Sequence, residues 1–270
     1  MSAWLPTAPC TPRACVEAPA GLTARAVTRA VLRLTGVVLL LLAGIVLSPL
    51  GARIPASMVR RWCRWIVRAA GVRVRITGAA APTGGLLLVA NHISWLDVPL
   101  LAAVRPARML AKTEVRRWPL AGPLAARAAL FIDRDRLRAL PDTVVRIVRA
   151  LREGAAVAAF PEGSTWCGRA QGTFRRAVFQ AALDAGVPVQ PVRIRYRLTG
   201  GTTTTAPAFV GDDTLVASLW RVATARGLVA EVDVRAPIPP GSHSDRRSLA
   251  HSAQSQETAA PAWTHTVLVA

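Results

Sequence analysis

The chain has 270 residues, 52% of them apolar, which is enough to bury a sizeable core in one large domain. Its formal charge of +19 rests almost wholly on arginine, since Lys112 is the only lysine, and that excess calls for an acidic partner, either nucleic acid or the anionic face of a membrane. The four cysteines, Cys10, Cys15, Cys63 and Cys167, follow neither a disulfide framework nor a paired metal spacing, so composition points away from a cysteine-stapled scaffold and from zinc or any other metal.

Residues 1–21 form a Pro/Ala/Thr-rich leader with the composition of a disordered segment. From Leu34 to Ala52 there are nineteen uncharged residues, which as a helix would extend roughly 28 Å, borderline for a bilayer crossing. Pro49 and Gly51 weaken its end, so a half-embedded helix competes with a true span, and a signal peptide is disfavoured by the late start and poor cleavage signature. Beyond it, Met58, Trp62, Trp65 and Ala69 recur at helical spacing on one face while Arg60, Arg64 and Arg68 line another, the pattern of a basic interfacial helix. Residues 22–70 therefore read as membrane-associated helices. Arginines are denser after the apolar run (Arg53, Arg60, Arg61, Arg64, Arg68, Arg73, Arg75) than before it (Arg13, Arg25, Arg29, Arg33), which places the following domain on the cytoplasmic face of the cell membrane.

From residue 71 the pattern becomes regular. Short β-prone runs at Val72–Thr77, Leu86–Ala90, Arg108–Ala111, Leu130–Asp133, Ala155–Phe160, Val189–Tyr196 and Leu228–Arg235 alternate with helical stretches at Leu96–Val104, Glu114–Arg127, Leu137–Arg152, Phe174–Ala185 and Thr214–Arg226. Alternation of this kind predicts an α/β fold, a mixed, largely parallel sheet of about seven strands flanked by helices, over residues 71–238. Residues 239–270, opening on Pro-Gly-Ser-His-Ser, read as a flexible tail.

The chemistry concentrates after the second run, in Asn91-His92-Ile93-Ser94-Trp95-Leu96-Asp97. His243, His251 and His265 fall in the polar tail, which leaves His92 as the one side chain of the body that titrates near neutrality. Reactive groups in open α/β sheets gather beyond the carboxyl ends of strands, where Asn91 and His92 stand. Pro99 forces the next helix to begin near Leu96, so Asp97 falls in its first turn with its carboxylate able to reach back to the His92 ring. That pairing would fix the proton on Nδ1 and free Nε2 to take one from a hydroxyl. Alone, a His-x4-Asp spacing more often marks a helix-start aspartate and a satisfied loop histidine, and the other motifs are what reverse those odds. Ser94 as a nucleophile lacks a Gly-x-Ser-x-Gly elbow, and a cap is the simpler role for it.

Four blocks in order resemble the 1-acylglycerol-3-phosphate (lysophosphatidic acid) acyltransferase family. The first is Asn91, His92, Ser94 and Asp97; the second is Phe131-Ile132-Asp133-Arg134, with Ala128 where the family usually has glycine. The third is Phe160-Pro161-Glu162-Gly163-Ser164, and the fourth Val187-Pro188-Val189-Gln190-Pro191-Val192. The resemblance implies a membrane-associated acyltransferase of phospholipid biosynthesis, with acyl-CoA or acyl carrier protein as co-substrate, membrane lipids as partners and no other cofactor. It also implies His92 as base oriented by Asp97, Arg134 on the acceptor's anionic head, Glu162, Gly163 and Ser164 shaping the acceptor site, and Pro191 on the acyl side. Family members acting on lysophosphatidate usually carry Glu-Gly-Thr-Arg in the third block, whereas this chain reads Glu162-Gly163-Ser164-Thr165-Trp166. Arg169, Arg175 or Arg176 could replace that arginine; otherwise the acceptor is another lysolipid, such as lyso-ornithine lipid. An inactive membrane-binding relative remains a second reading. Nucleic-acid binding rests on charge alone, with no recognisable RNA or DNA module, and is not expected.

Overall fold

The computed structural model describes residues 7–18, 23–118, 120–132 and 137–258. Seven strands form one sheet: β1 (Arg73–Thr77), β2 (Leu86–Ala90), β3 (Arg108–Lys112), β4 (Ala129–Ile132), β5 (Ala156–Ala159), β6 (Val189–Leu198) and β7 (Leu228–Val234). Their order is β1-β7-β6-β2-β5-β3-β4, and every neighbouring pair is parallel except β6 with β7. This is the mixed, largely parallel α/β sheet that the alternating pattern predicts.

β2 is central and buried along its whole length. Its Leu86, Leu88 and Ala90 pack on one face with Ile66, Val67, Leu100, Leu101 and Val222, while Leu87 and Val89 pack on the other with Ile147, Leu151, Phe179, Leu249 and Ala253. A strand covered on both faces needs no polar alternation, which is why it reads as an unbroken apolar run. The first face is covered by α3 (Ala56–Ala69), α4 (Asp97–Val104) and α8 (Leu215–Thr224), the second by α6 (Leu140–Arg152), α7 (Ala177–Ala185) and α9 (Arg246–Thr258).

Three expectations change. The helix expected over Glu114–Arg127 is a short 3-10 turn, Thr113–Arg117, followed by α5 (Ala121–Ala128). Trp118, held extended by the proline that follows it, interrupts the helix, and Leu120 takes a positive φ of 63°. The described part of the leader is folded: α1 (Pro12–Cys15) is capped by Thr11, and the Glu17 carboxylate accepts from Thr205 N–H and the Thr204 hydroxyl. The expected flexible tail holds α9, whose Asp245 accepts from the Arg247 and Ser248 N–H groups and whose Leu249, Ala250, Ala253 and Glu257 are buried. Its inward face is short and alanine-rich, so the segment lacks the apolar content that marks a core helix.

The apolar run belongs to α2 (Ala24–Leu47), capped by Thr23 and ended at the Ser48–Arg53 turn, where Gly51 adopts a φ of 48°. Gly36 meets Ala69, the Leu40 carbonyl accepts from the Trp62 indole at 3.0 Å, and a Cβ at Gly44 would collide with the Trp62 ring. Partners therefore run in opposite directions, and α2 and α3 form an antiparallel hairpin. Arg33 Nη1 donates to the Ala223 and Ala225 carbonyls (2.9 and 2.7 Å), tying the start of α2 to the end of α8.

Candidate active site

Beyond Ala90 the chain leaves the sheet between β6 and β5. Asn91 continues the ladder with its side chain: Nδ2 donates to the Ile194 carbonyl (2.9 Å) and Oδ1 accepts from the Ile194 N–H (2.8 Å). A carboxamide mimics a peptide group, and an apolar residue here would strand two buried backbone groups.

Register decides the next neighbour. Val89 lies beside Ala159, so three residues further on in each chain His92 meets Glu162. Glu162 Oε2 accepts from the His92 N–H at 2.7 Å and Oε1 from the Gly172 N–H at 2.9 Å. Burial, which leaves Glu162 only 3% exposed, pushes its carboxyl up to about 7 against the opposing effect of those two N–H groups.

Asp97 begins α4, and its carboxylate turns back over the loop. Oδ2 accepts from His92 Nδ1 (2.9 Å) and from the Ile93 and Ser94 N–H groups (2.6 and 2.8 Å). Oδ1 accepts from the Tyr196 hydroxyl at 2.6 Å. Asp97 is wholly buried, and four donors offset the desolvation of its charge. Because a carboxylate only accepts, Nδ1 carries the ring proton and Nε2 is left with the basic lone pair. The His92 side chain is 22% exposed, its ring stacked on Phe160 (centroids 3.9 Å apart, 9° between planes) and its carbonyl accepting from the Trp166 N–H at 2.8 Å. The arrangement can take a proton from a hydroxyl at Nε2 and hold the imidazolium against Asp97. Ser94 has no exposed surface, and its hydroxyl accepts from the Leu96 N–H, so it cannot reach a substrate and acts as the turn's cap.

Tyr196, the chain's one tyrosine, was not singled out from the sequence. β6 is ten residues long and overruns the end of β2, which carries Tyr196 to Asp97. Alternation of Val192, Ile194 and Tyr196 on one buried face was the available signal. Burial first, and the Asp97 charge second, hold its phenol well above the usual tyrosine range, so it remains a donor.

The other predicted residues are distributed as follows. Pro161 is buried, its carbonyl accepting from the Arg175 N–H; Gly163 takes a φ of 76° and donates to the Phe160 carbonyl at 3.1 Å; Ser164 is half-buried beside it. Pro191 is buried within β6 next to Val89. Phe131 closes β4 at the far edge of the sheet, with the Arg116 guanidinium 4.1 Å over its ring. Asp133 and Arg134 lie outside the described residues. Arg169 pairs with Glu17 at 3.7 Å, and Arg175 and Arg176 are exposed. Arg176 lines a cavity of about 530 Å³ with Arg247, His251 and Gln254 of the α9 side, and none of the four blocks' residues described above contributes to it.

A family model described as Acyltransferase matches residues 71–195. The chain is 40% identical over 200 residues to a lyso-ornithine lipid O-acyltransferase of Pseudomonas aeruginosa, covering 73% of this chain and 75% of that protein. It is 34% identical over 175 residues to a 1-acyl-sn-glycerol-3-phosphate acyltransferase of Neisseria gonorrhoeae, covering 64% of this chain and 68% of that one. Among solved structures, the 1-acyl-sn-glycerophosphate acyltransferase of Thermotoga maritima superposes with a TM-score of 0.65 at 17% identity, over 86% of this chain and 93% of that one. At that identity the likeness is one of fold.

Proposed function

The chain belongs to the lysolipid acyltransferase family, and from that premise we propose that it moves an acyl chain from a coenzyme A or acyl-carrier-protein thioester to a lysolipid hydroxyl at the membrane surface. The observation that carries the reading is the His92 Nδ1 to Asp97 Oδ2 contact of 2.9 Å. Nε2 of His92 takes the acceptor's hydroxyl proton as the oxygen attacks the thioester carbonyl. The C–S bond then breaks, and the departing thiolate recovers the proton from the imidazolium. No acyl-enzyme is required.

The preferred acceptor is lyso-ornithine lipid. Supporting it are the 40% identity to the Pseudomonas enzyme of that name and a third block that runs Ser164-Thr165-Trp166 where lysophosphatidate enzymes usually carry an arginine. An ornithine head presents a carboxylate and an ammonium group in place of a phosphate dianion, so it needs fewer guanidinium contacts. The second reading, 1-acylglycerol-3-phosphate, is favoured by the 34% identity to the Neisseria enzyme.

Docking follows from the hairpin. Leu32, Leu39, Leu42, Val46, Leu50, Met58 and Trp65 expose apolar surface along α2, the turn and α3. Were α2 to cross the bilayer, its antiparallel partner would draw Arg60, Arg61, Arg64 and Arg68 into hydrocarbon. Lying in the interface, the hairpin buries the apolar residues and leaves the arginines among anionic headgroups, with the catalytic domain on the cytoplasmic side.

The test is product identification by mass spectrometry after giving the purified chain mixed lysolipids with acyl-CoA or acyl carrier protein. Acylated ornithine lipid in excess, reduced about 10²- to 10⁴-fold in His92→Ala, is the expected result. Preferential formation of phosphatidate would select the second reading, and undiminished turnover in folded His92→Ala would overturn the base assignment.

A further inference from the structure

Cys10 and Cys15 are more than 150 residues from Cys167 in sequence, yet the three sulfurs all lie within 4.8 Å of one another. Cys10 and Cys167 are 5% and 4% exposed, and Cys15 is half-buried beside them. The N–H groups of Arg169 and Ala170 face the Cys167 sulfur. We propose that Cys10, Cys15 and Cys167 bind one zinc ion through three thiolates, with a water in the fourth position. Three thiols each lose a proton as three Zn–S bonds form, so binding releases three protons and leaves the site with one negative charge. With Zn–S near 2.3 Å, tetrahedral geometry needs sulfurs about 3.8 Å apart, a contraction of at most about 1 Å from the separations present.

The position gives the ion a structural task next to the chemistry. Cys167 follows Trp166, whose N–H holds the His92 carbonyl, and Gly168 lies so close to Ile93 that a Cβ would stand 3.2 Å from its side chain. Cys10 passes against Gly211, two residues beyond Phe209, whose N–H holds the Ile93 carbonyl. Zinc would thus clamp the leader and two loops around the His92 segment. Sequence spacing hides the site because its two parts come from opposite halves of the chain.

The test uses the full chain, metal-free and phosphine-reduced in detergent micelles, titrated with zinc against a chromophoric chelator and separately with cadmium, whose thiolate charge-transfer absorbance counts sulfur ligands. One zinc per chain with a dissociation constant below about 1 μM and three thiolates on cadmium are expected. Cys63→Ser should keep both results, and Cys15→Ser should weaken zinc by more than about 100-fold and lower the thiolate count. Binding no tighter in the parent chain than in the Cys10→Ser/Cys15→Ser/Cys167→Ser variant, or fewer than three thiolates, would overturn the proposal. None of these readouts depends on acyl transfer, so they stand apart from the functional reading above.

Discussion

Tyr196→Phe separates what Asp97 does for structure from what it does for His92. The substitution removes one hydroxyl, the sole donor on Asp97 Oδ1 among the described residues, and leaves the ring in place and the three donors on Oδ2 untouched. A buried charged acceptor that loses such a partner costs about 1.5–3 kcal/mol, which for a chain of this size lowers Tm by about 4–10 °C. The catalytic consequence is separate. With Oδ1 released, nothing on that side fixes the plane of the carboxylate that orients the His92 ring through Nδ1. Losing about 1.4 kcal/mol of transition-state stabilisation to a looser base lowers kcat/KM about tenfold, and the loss should fall on kcat more than on KM. Acyl transfer followed by mass spectrometry, with saturating thioester and varied acceptor, separates the two. An unchanged kcat together with a lower Tm would reduce Tyr196 to packing and refute the coupling. A collapse to the His92→Ala level would mean that the loop had lost its shape.

Three further outcomes test the same framework. The Glu162 carboxyl rises from 4.5 to about 7 in the fold, so the folded chain holds a proton that the unfolded chain releases, and stability falls as pH climbs through that window by up to about 1.4 kcal/mol per unit. Glu162→Gln should abolish that slope while costing about 1–3 kcal/mol for one N–H left facing an amide; an identical slope in the variant would contradict it. On the hairpin, Leu39→Asp or Val46→Asp, at positions 60% and 75% exposed, should weaken vesicle binding about tenfold and leave Tm in micelles unchanged, with unaltered partitioning counting against the interfacial placement. Gln254→Ala removes an acceptor for the Phe174 N–H and a donor to the Gly172 carbonyl, and should raise KM more than it lowers kcat, as steady-state kinetics would report.

The sheet was legible because β2, β5 and the inner part of β6 are buried on both faces and so appear as continuous apolar runs bounded by polar turns. His92 and Asp97 were legible for a different reason: their pairing is local, closed within one loop and the first turn of α4. What escaped depends on contacts distant in sequence. Tyr196 reaches Asp97 from 99 residues away, Cys167 meets two leader cysteines, and α9 is held by burial of small side chains and by Gln254 and Glu257 bonding the 171–174 segment. Alternation along β6 marks Tyr196 as inward-facing without naming its partner, and none of these pairings leaves a periodic trace, since a single long-range contact fixes one residue and imposes nothing on its neighbours.

The two buried carboxylates divide one job between them. Glu162 takes the His92 N–H, and Asp97 takes the Ile93 and Ser94 N–H groups, so three successive amides of the loop donate to buried carboxyl oxygens. Their own carbonyls are constrained as well, with His92 O on Trp166, Ile93 O on Phe209 and Ser94 O on Asp97. With the backbone held at both ends of each peptide and the ring trapped between Phe160 and Asp97, His92 has few rotamers left to lose when substrate arrives. In the proposed mechanism the entropy of aligning the base is therefore met during folding, and the reaction would need only to bring hydroxyl and thioester to Nε2. This also explains why both carboxylates are inaccessible: an exposed one would exchange the loop amides for water and release the ring.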